Sequence, residues 1–185
     1  MRKIIVLNYV SLDGFIAGND GETDWFVWDK EVENYYKDFQ DSIGTMLFGR
    51  STYETMANYW ATSTAASEDP EITNFMNRTK KFVFSKTLEK ADWNNSELLG
   101  EIVPAEIVKM KEQSGKDIVI YGSGSIVSQF TKASLIDEYR IMLNPITLGS
   151  GKPLLQNVED KFKLKLLDTK TFNCGNVLLR YQPED

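Results

Sequence analysis

The sequence predicts an α/β fold in three layers: a mixed, mostly parallel sheet with helices on both faces and an antiparallel C-terminal hairpin. Three observations carry this reading. Up to Phe130, short β-branched apolar runs alternate with amphipathic helical patterns, the order that right-handed crossovers join into a parallel sheet. Beyond it, three strand-like runs follow one another with no helical pattern between them. Several of the early runs also break directly into turns of Gly, Ser and Thr that open a helix, as strand ends do in open α/β sheets. At 185 residues the chain is expected to form one domain, and it shows no internal repeat, low-complexity tract or linker.

Lys3 to Val10, rich in Ile and Val, reads as a first buried strand ended by the turn Ser11-Leu12-Asp13-Gly14. Asn8, Ser11 and Asp13 interrupt its apolar run too early for a signal peptide. Phe15 to Gly18 resumes briefly, and Asn19 to Asp24 is a polar loop ending in Trp25 and Trp28, which are either lids on a ligand or caps on the core. Asp29 to Ser42 carries Val32, Tyr35, Tyr36 and Phe39 at helical spacing with acids early, and Gly44 is expected to end it. Thr45 to Phe48 is a compact strand running into Gly49-Arg50-Ser51-Thr52, where Ser51 or Thr52 would cap a second helix.

Asn58 to Asp69 reads as a surface loop before a helix from Pro70 to Met76, with proline at its first position. Lys80 to Ser85 is a third strand whose end presents Ser85-Lys86-Thr87, and Ala91 to Gly100 looks irregular. Pro104 to Gln113 forms a helix closed by Gly115. Ile118 to Tyr121 is too short and too β-branched for a helix, while Ile126, Val127 and Phe130 recur at helical spacing after Gly122-Ser123-Gly124-Ser125. In the tail, Asp137 to Thr147, Phe162 to Thr171 and Asn176 to Tyr181 read as strands, the last two joined through Phe172 to Gly175 as a hairpin.

Parallel strands put Gly49 to Thr52, Ser85 to Thr87 and Gly122 to Ser125 on one rim of the sheet. Two of these junctions are glycine-led helix starts and two carry Arg50 or Lys86. Helix N-termini favour anions, so the three together point to a phosphate-bearing cofactor, with Gly124 read as letting the backbone approach its pyrophosphate. Gly122-x-Gly124 alone is a weak signal, because Val127 stands where the dinucleotide fingerprint wants a third glycine.

The chain has no histidine, which removes Ser-His-Asp and Cys-His catalysis, histidine-ligated metal and imidazole proton shuttling together. The single cysteine, Cys174, can neither close an internal disulfide nor supply a thiolate metal site, and suits a reducing cytoplasm. No metal is expected. A net charge of −6 argues against a nucleic-acid surface, and no run of apolar residues is long enough to span a membrane. The expected partner is a small-molecule substrate.

Four motifs in order, Ser11-Leu12-Asp13-Gly14-Phe15-Ile16-Ala17, Leu47-Phe48-Gly49-Arg50-Ser51-Thr52-Tyr53-Glu54, Gly122-Ser123-Gly124-Ser125 and Pro145-Ile146-Thr147-Leu148-Gly149-Ser150-Gly151, give the chain a family likeness over nearly its whole length. It resembles the dihydrofolate-reductase-like superfamily, and within it the reductase (C-terminal) domain of the bacterial riboflavin-biosynthesis bifunctional protein. The resemblance implies a dihydrofolate-reductase-like fold, NADPH as cofactor, hydride transfer to a heterocyclic substrate and a homodimer. The implied activity is of the 5-amino-6-(5-phosphoribosylamino)uracil reductase type, with dihydrofolate or pterin reduction, or NADPH binding without turnover, as alternatives. The expected form is a stand-alone reductase domain without the deaminase.

By the same resemblance Gly49, Arg50, Ser51 and Thr52 would hold phosphates. Ser85 and Lys86 would face the 2′-phosphate, Gly122, Ser123, Gly124, Ser125 and Ile126 would cradle the pyrophosphate, and Ile16 and Ala17 would border the nicotinamide. Trp25 and Trp28 are candidates for the substrate side. Glu33 is the candidate substrate-orienting carboxylate, against the alternative of a solvated first-turn acid that stabilises the helix dipole. Asp13 borders the substrate in that group, but an Asp-Gly pair also makes a turn with nothing bound.

Overall fold

The computed structural model describes residues 1–159 and 161–184. The chain opens with β1 (Ile4–Ser11), β2 (Phe15–Ala17), α1 (Lys30–Gln40), β3 (Ile43–Gly49) and α2 (Arg50–Trp60). It continues through α3 (Ser63–Glu68), α4 (Pro70–Arg78), β4 (Lys80–Phe84), β5 (Ser96–Leu99), α5 (Pro104–Glu112), β6 (Asp117–Tyr121) and α6 (Gly124–Lys132). The tail is β7 (Glu138–Asn144), β8 (Lys152–Pro153), β9 (Leu164–Thr171) and β10 (Val177–Pro183).

Eight strands form one sheet in the order β5-β4-β3-β6-β1-β7-β10-β9, and β2 pairs with β8 apart from it. Every neighbouring pair from β5 to β7 is parallel, while β10 runs antiparallel to both β7 and β9. This is the mixed sheet with an antiparallel C-terminal hairpin that the alternating and then helix-free halves of the sequence predict.

β1 sits between β6 and β7 and is apolar on both faces. Ile4 and Val6 join one core with Ile107, Ile126, Val127 and Phe130 from α5 and α6. Ile5 and Leu7 join the opposite core with Phe39, Tyr53 and Phe75 from α1, α2 and α4. All four β1 residues are at most 2% exposed, so each contributes roughly 1.5–3 kcal/mol by burial.

The structure departs from expectation at several boundaries. Gly44 does not end α1; Asp41 does, and Gly44 lies within β3, which starts at Ile43. Neither Ser51 nor Thr52 caps α2, whose N-cap is Gly49 without a side-chain bond. The expected loop before Pro70 contains α3, capped by the Thr62 hydroxyl on Ala65 N–H at 3.2 Å. A six-residue helix of Ser, Thr, Ala and Glu has too little apolar periodicity to announce itself. The irregular stretch after Ala91 contains β5, a four-residue edge strand parallel to β4. β7 stops at Asn144, short of Thr147, because the Asn144 side chain turns to accept from Val27 N–H at 3.0 Å and to donate to Met142 O at 3.0 Å.

At the opposite end of β4 from its rim, Lys81 is fully buried and forms no salt bridge among the described residues. Its ammonium donates to the carbonyls of Thr79 at 2.8 Å and Asn94 at 2.9 Å and lies 4.4 Å from the Trp93 ring centroid. Burial pushes its pKa down to about 8. Between that value and the ordinary lysine pKa of about 10.4, the unfolded chain holds a proton that the folded protein has released, so stability rises with pH. In urea unfolding from about pH 7 to about pH 9.5, wild type is expected to gain stability relative to Lys81→Met. A constant difference across that range would mean that the carbonyls and the indole keep the ammonium charged.

Candidate functional site

Because β5, β4, β3 and β6 are adjacent and parallel, their carboxyl ends open on one edge of the sheet. There the chain forms a cleft of about 400 Å³. Its walls are the start of α2 (Gly49, Arg50, Ser51), the end of β4 (Phe84, Ser85, Lys86), the segment after β5 (Gly100, Glu101, Ile102) and the start of α6 (Ser123, Ser125, Ile126, Gln129). Two helix N-termini therefore face one space, each with backbone N–H groups that have no intrahelical acceptor.

The junction between β6 and α6 is shaped by two consecutive left-handed residues, Gly122 (φ 58°) and Ser123 (φ 52°). Gly122 N–H donates to the Asn8 side chain at 3.1 Å, which ties the junction to β1. The Ser123 hydroxyl lies 3.1 Å from the Thr52 hydroxyl instead of capping α6, and a Cβ at Gly122 would meet the Thr52 side chain at 2.8 Å. A Cβ at Gly49 would strike Ser123 and meet Ile126 at 2.9 Å. Gly49 and Gly122 thus let the two helix starts close on each other.

Gly124 serves a different contact from the one expected. A Cβ there would fall on the Pro153 carbonyl and meet that of Leu154 at 3.1 Å, so the close approach this glycine permits is to the chain itself.

The cleft carries two cations and one anion. Arg50 donates to the Thr87 hydroxyl at 3.1 Å and lies 4.0 Å from Glu54. Lys86 pairs with Glu101 at 2.6 Å, and this ammonium holds the Glu101 carboxyl below its usual range. The Ser85 hydroxyl accepts from Thr87 and Leu88 N–H and so shapes the turn. Glu101 carries no signal of its own in the sequence, because a four-residue edge strand such as β5 shows little periodicity. The available sign was Leu98-Leu99 running into Gly100, the same strand-then-glycine pattern as the neighbouring rim positions.

The remaining sequence candidates lie partly behind the cleft and partly away from it. Thr52, Gly122 and Gly124 support the cleft from behind, as described. Ile16 and Ala17 lie on β2, against β8, and a Cβ at Gly151 would strike the Ala17 carbonyl. Trp25 donates its indole N–H to Glu22 O at 3.2 Å and packs edge-on against Phe26. Trp28, 45% exposed, roofs Tyr36 and Tyr9. Glu33 is held by Lys30 at 2.8 Å and Lys37 at 3.1 Å, and these contacts depress its pKa.

Asp13 has a definite job. Its carboxylate accepts from the Ser11 hydroxyl at 2.6 Å, from Leu148 N–H at 3.1 Å and from Gly149 N–H at 2.7 Å. The Ser11 hydroxyl first, then the Gly149 and Leu148 amides, hold the carboxyl below its ordinary range. Leu12 N–H donates to Ile146 O and Leu154 N–H to Gly14 O, so the turn after β1 and the loop after β7 are joined along their length.

A mostly parallel sheet with a C-terminal antiparallel hairpin, and a cleft at the carboxyl ends of its strands, define an α/β fold of the dihydrofolate-reductase kind. Residues 2–178 match the RibD C-terminal domain family, to which the chain belongs. It is 35% identical to the uncharacterized protein YyaP of Bacillus subtilis strain 168 over 180 residues, 97% of this chain and 94% of that protein. Among solved structures it is similar to a riboflavin biosynthesis protein of Shewanella sp. PV-4, with a TM-score of 0.78 and 22% identity over 99% of both chains. It is also similar to the deaminase/5-amino-6-(5-phosphoribosylamino)uracil reductase of Thermotoga maritima, with a TM-score of 0.68 and 15% identity over 99% of this chain and 57% of that one. Dihydrofolate reductase from Enterococcus faecalis complexed with NADP(H) gives a TM-score of 0.64 and 13% identity over 99% of this chain and 97% of that one.

Removing the Asp13 carboxylate should release the loop after β7. In Asp13→Ala, amide exchange at Leu148 and Gly149 is expected to accelerate at least about tenfold while exchange in β1 stays unchanged. Unchanged protection at both amides would show that other contacts hold the loop. In wild type the clamp persists above the ordinary aspartate range and is lost as pH falls through the lowered pKa.

Proposed function

We propose that the protein is an NADPH-dependent reductase that transfers hydride to a heterocyclic substrate, of the 5-amino-6-(5-phosphoribosylamino)uracil reductase type. The observation that carries this is the convergence of two helix N-termini, Arg50 and Lys86 on a single cleft at the carboxyl ends of four parallel strands. The donor set fits a dinucleotide: backbone N–H groups and the Ser51 and Ser125 hydroxyls suit phosphate oxygens, and a guanidinium and an ammonium suit a terminal phosphate monoester. Family membership and the fold shared with reductases support the same reading.

When bound, the dinucleotide supplies the hydride. The protein's share is to hold it. The start of α2 and the start of α6 would grip the phosphates, and Arg50 with Lys86 would face the adenosine end. In this arrangement Glu101 opposes the cofactor, because its carboxylate occupies the Lys86 ammonium that a 2′-phosphate would take. Binding of NADPH then replaces the Lys86–Glu101 pair, whereas NADH has no group to replace it with.

Fluorescence titration of NADPH and NADH against wild type, Arg50→Ala, Lys86→Ala and Glu101→Gln tests the cofactor. Each cation loss is expected to weaken NADPH about tenfold or more while leaving NADH nearly unchanged, the scale of one charge-assisted contact. Glu101→Gln is expected to tighten NADPH selectively. NADPH affinity that no variant alters would rule out this placement of the 2′-phosphate. Turnover is followed at the nicotinamide absorbance with the ribosylaminopyrimidine and with dihydrofolate. Oxidation with the first and not the second is expected, and oxidation with neither, binding intact, would favour a binding module.

A further inference from the structure

Residues 152–156 form a strap bonded to two different parts of the rim. On one side it meets the chain that follows β1: Leu154 N–H donates to Gly14 O at 3.1 Å, and β8 pairs with β2 through Pro153 opposite Phe15 and Lys152 opposite Ala17. On the other side it meets α6. Gln156 N–H donates to the Ser128 hydroxyl at 2.7 Å, and the carbonyls of Pro153 and Leu154 fill the space that a side chain at Gly124 would take. The strap therefore joins the helix whose start lines the cleft to the turn at the end of β1.

Ser128 is the unexpected residue in this join. It is 4% exposed in the middle of α6, and its hydroxyl donates back to Gly124 O at 2.7 Å. A serine bonded to the carbonyl four residues earlier slightly destabilises a helix, and alanine is the better helix former there. The hydroxyl does what alanine cannot. Its oxygen also accepts the Gln156 N–H, so a single atom links the first turn of α6 to the strap. Gly124 completes the join by letting the strap lie against the same turn.

The strand order says which part of a dinucleotide this join concerns. Along the rim Lys86 follows β4, Arg50 follows β3, α6 follows β6, and the turn leading to β2 follows β1. With the terminal phosphate at Arg50 and Lys86 and the pyrophosphate at the start of α6, the nicotinamide half continues past β6 to the end of β1. We propose that Ser128 is a positioning residue: by pinning the strap to α6, it holds the turn after β1 at a fixed distance from the pyrophosphate grip, so that both halves of the cofactor are seated together. Ser128 itself touches no ligand. The inference rests on the reductase reading above and names what keeps its two cofactor sites in register.

The test compares NADPH with adenosine 2′,5′-bisphosphate, which carries the cleft-binding half alone, by calorimetric titration into the whole protein. Two variants remove the same bond from opposite sides. Ser128→Ala takes away the acceptor, and Gln156→Pro takes away the donor while leaving α6 unaltered. Both are expected to weaken NADPH about tenfold and to leave the bisphosphate unchanged. Both are also expected to accelerate amide exchange at Leu154 about tenfold, with exchange in β6 unchanged. The split between whole and half cofactor is the readout that a serine merely filling space in α6 would not give. Equal weakening of both ligands overturns the proposal, because the bond would then shape the cleft itself. NADPH binding that neither variant alters overturns it alone and leaves the cofactor reading standing; wild type that binds neither ligand overturns both.

Discussion

Parallel pairing of β1 with both β6 and β7 is the constraint on which the rest of this molecule depends. A strand flanked by two parallel neighbours must be covered on both faces, because each neighbour is reached by a crossover that lays helix or loop over the sheet. Ile4, Ile5, Val6 and Leu7 meet that demand with no polar residue among them. The same pairing sends the carboxyl ends of five further strands to one edge, and it is at that edge that the polar residues reappear: Asn8 holding Gly122, Ser11 holding Asp13, Asn144 holding Val27. The site is therefore a by-product of sheet direction, placed where parallel strands release their chains.

That edge is stabilised by side chains bonded to backbone, a feature that distinguishes it from the two apolar cores. Asp13 bridges to Leu148 and Gly149, and Asn176 donates to Val27 O at 2.8 Å from the hairpin side. Loops so tied keep their shape without deep apolar burial, which leaves the space beside them free for a ligand. On the far side of the sheet the equivalent work is ionic. Glu138, 2% exposed, is pushed up by burial yet held below its usual range by Arg180 and Arg140, joining β7 to β10.

How much of this was legible follows from the length scale of each signal. The sheet's direction, the C-terminal hairpin and three of the four walls of the cleft were written in runs of apolar residues breaking into Gly, Ser and Thr, and those were readable. β5 was not, because four residues at an edge carry little periodicity, and with it went Gly100, Glu101 and Ile102. The capping residues were misread for a related reason. Ser51 and Thr52 are good caps by composition, but Thr52 is drawn to Ser123, a residue 71 positions away, and no local pattern encodes that contact. Gly124 shows the same limit: a glycine announces a close approach, while its partner, the carbonyl of Pro153, is chosen by the tertiary fold.

A row of tyrosines under Trp28 shows the same limit on the aromatic side of the sheet. Tyr9, Tyr36 and Tyr121 look in the sequence like ordinary apolar-face aromatics at strand and helix spacing, and by packing alone they are. Only their positions in space separate them from phenylalanines, since Tyr36 lies between the other two and Trp28 closes the top. Buried hydroxyls elsewhere are of both kinds: Tyr53 takes Trp93 N–H at 2.9 Å and Tyr139 meets the Thr131 hydroxyl at 2.9 Å, while those of Thr73 and Ser96 have no hydrogen-bond partner among the described residues. Unpaired hydroxyls therefore occur from α4 and β5 to β1 and the end of β6, so the identity of a buried hydroxyl residue follows the shape of its packing site as much as the hydrogen bond it can make.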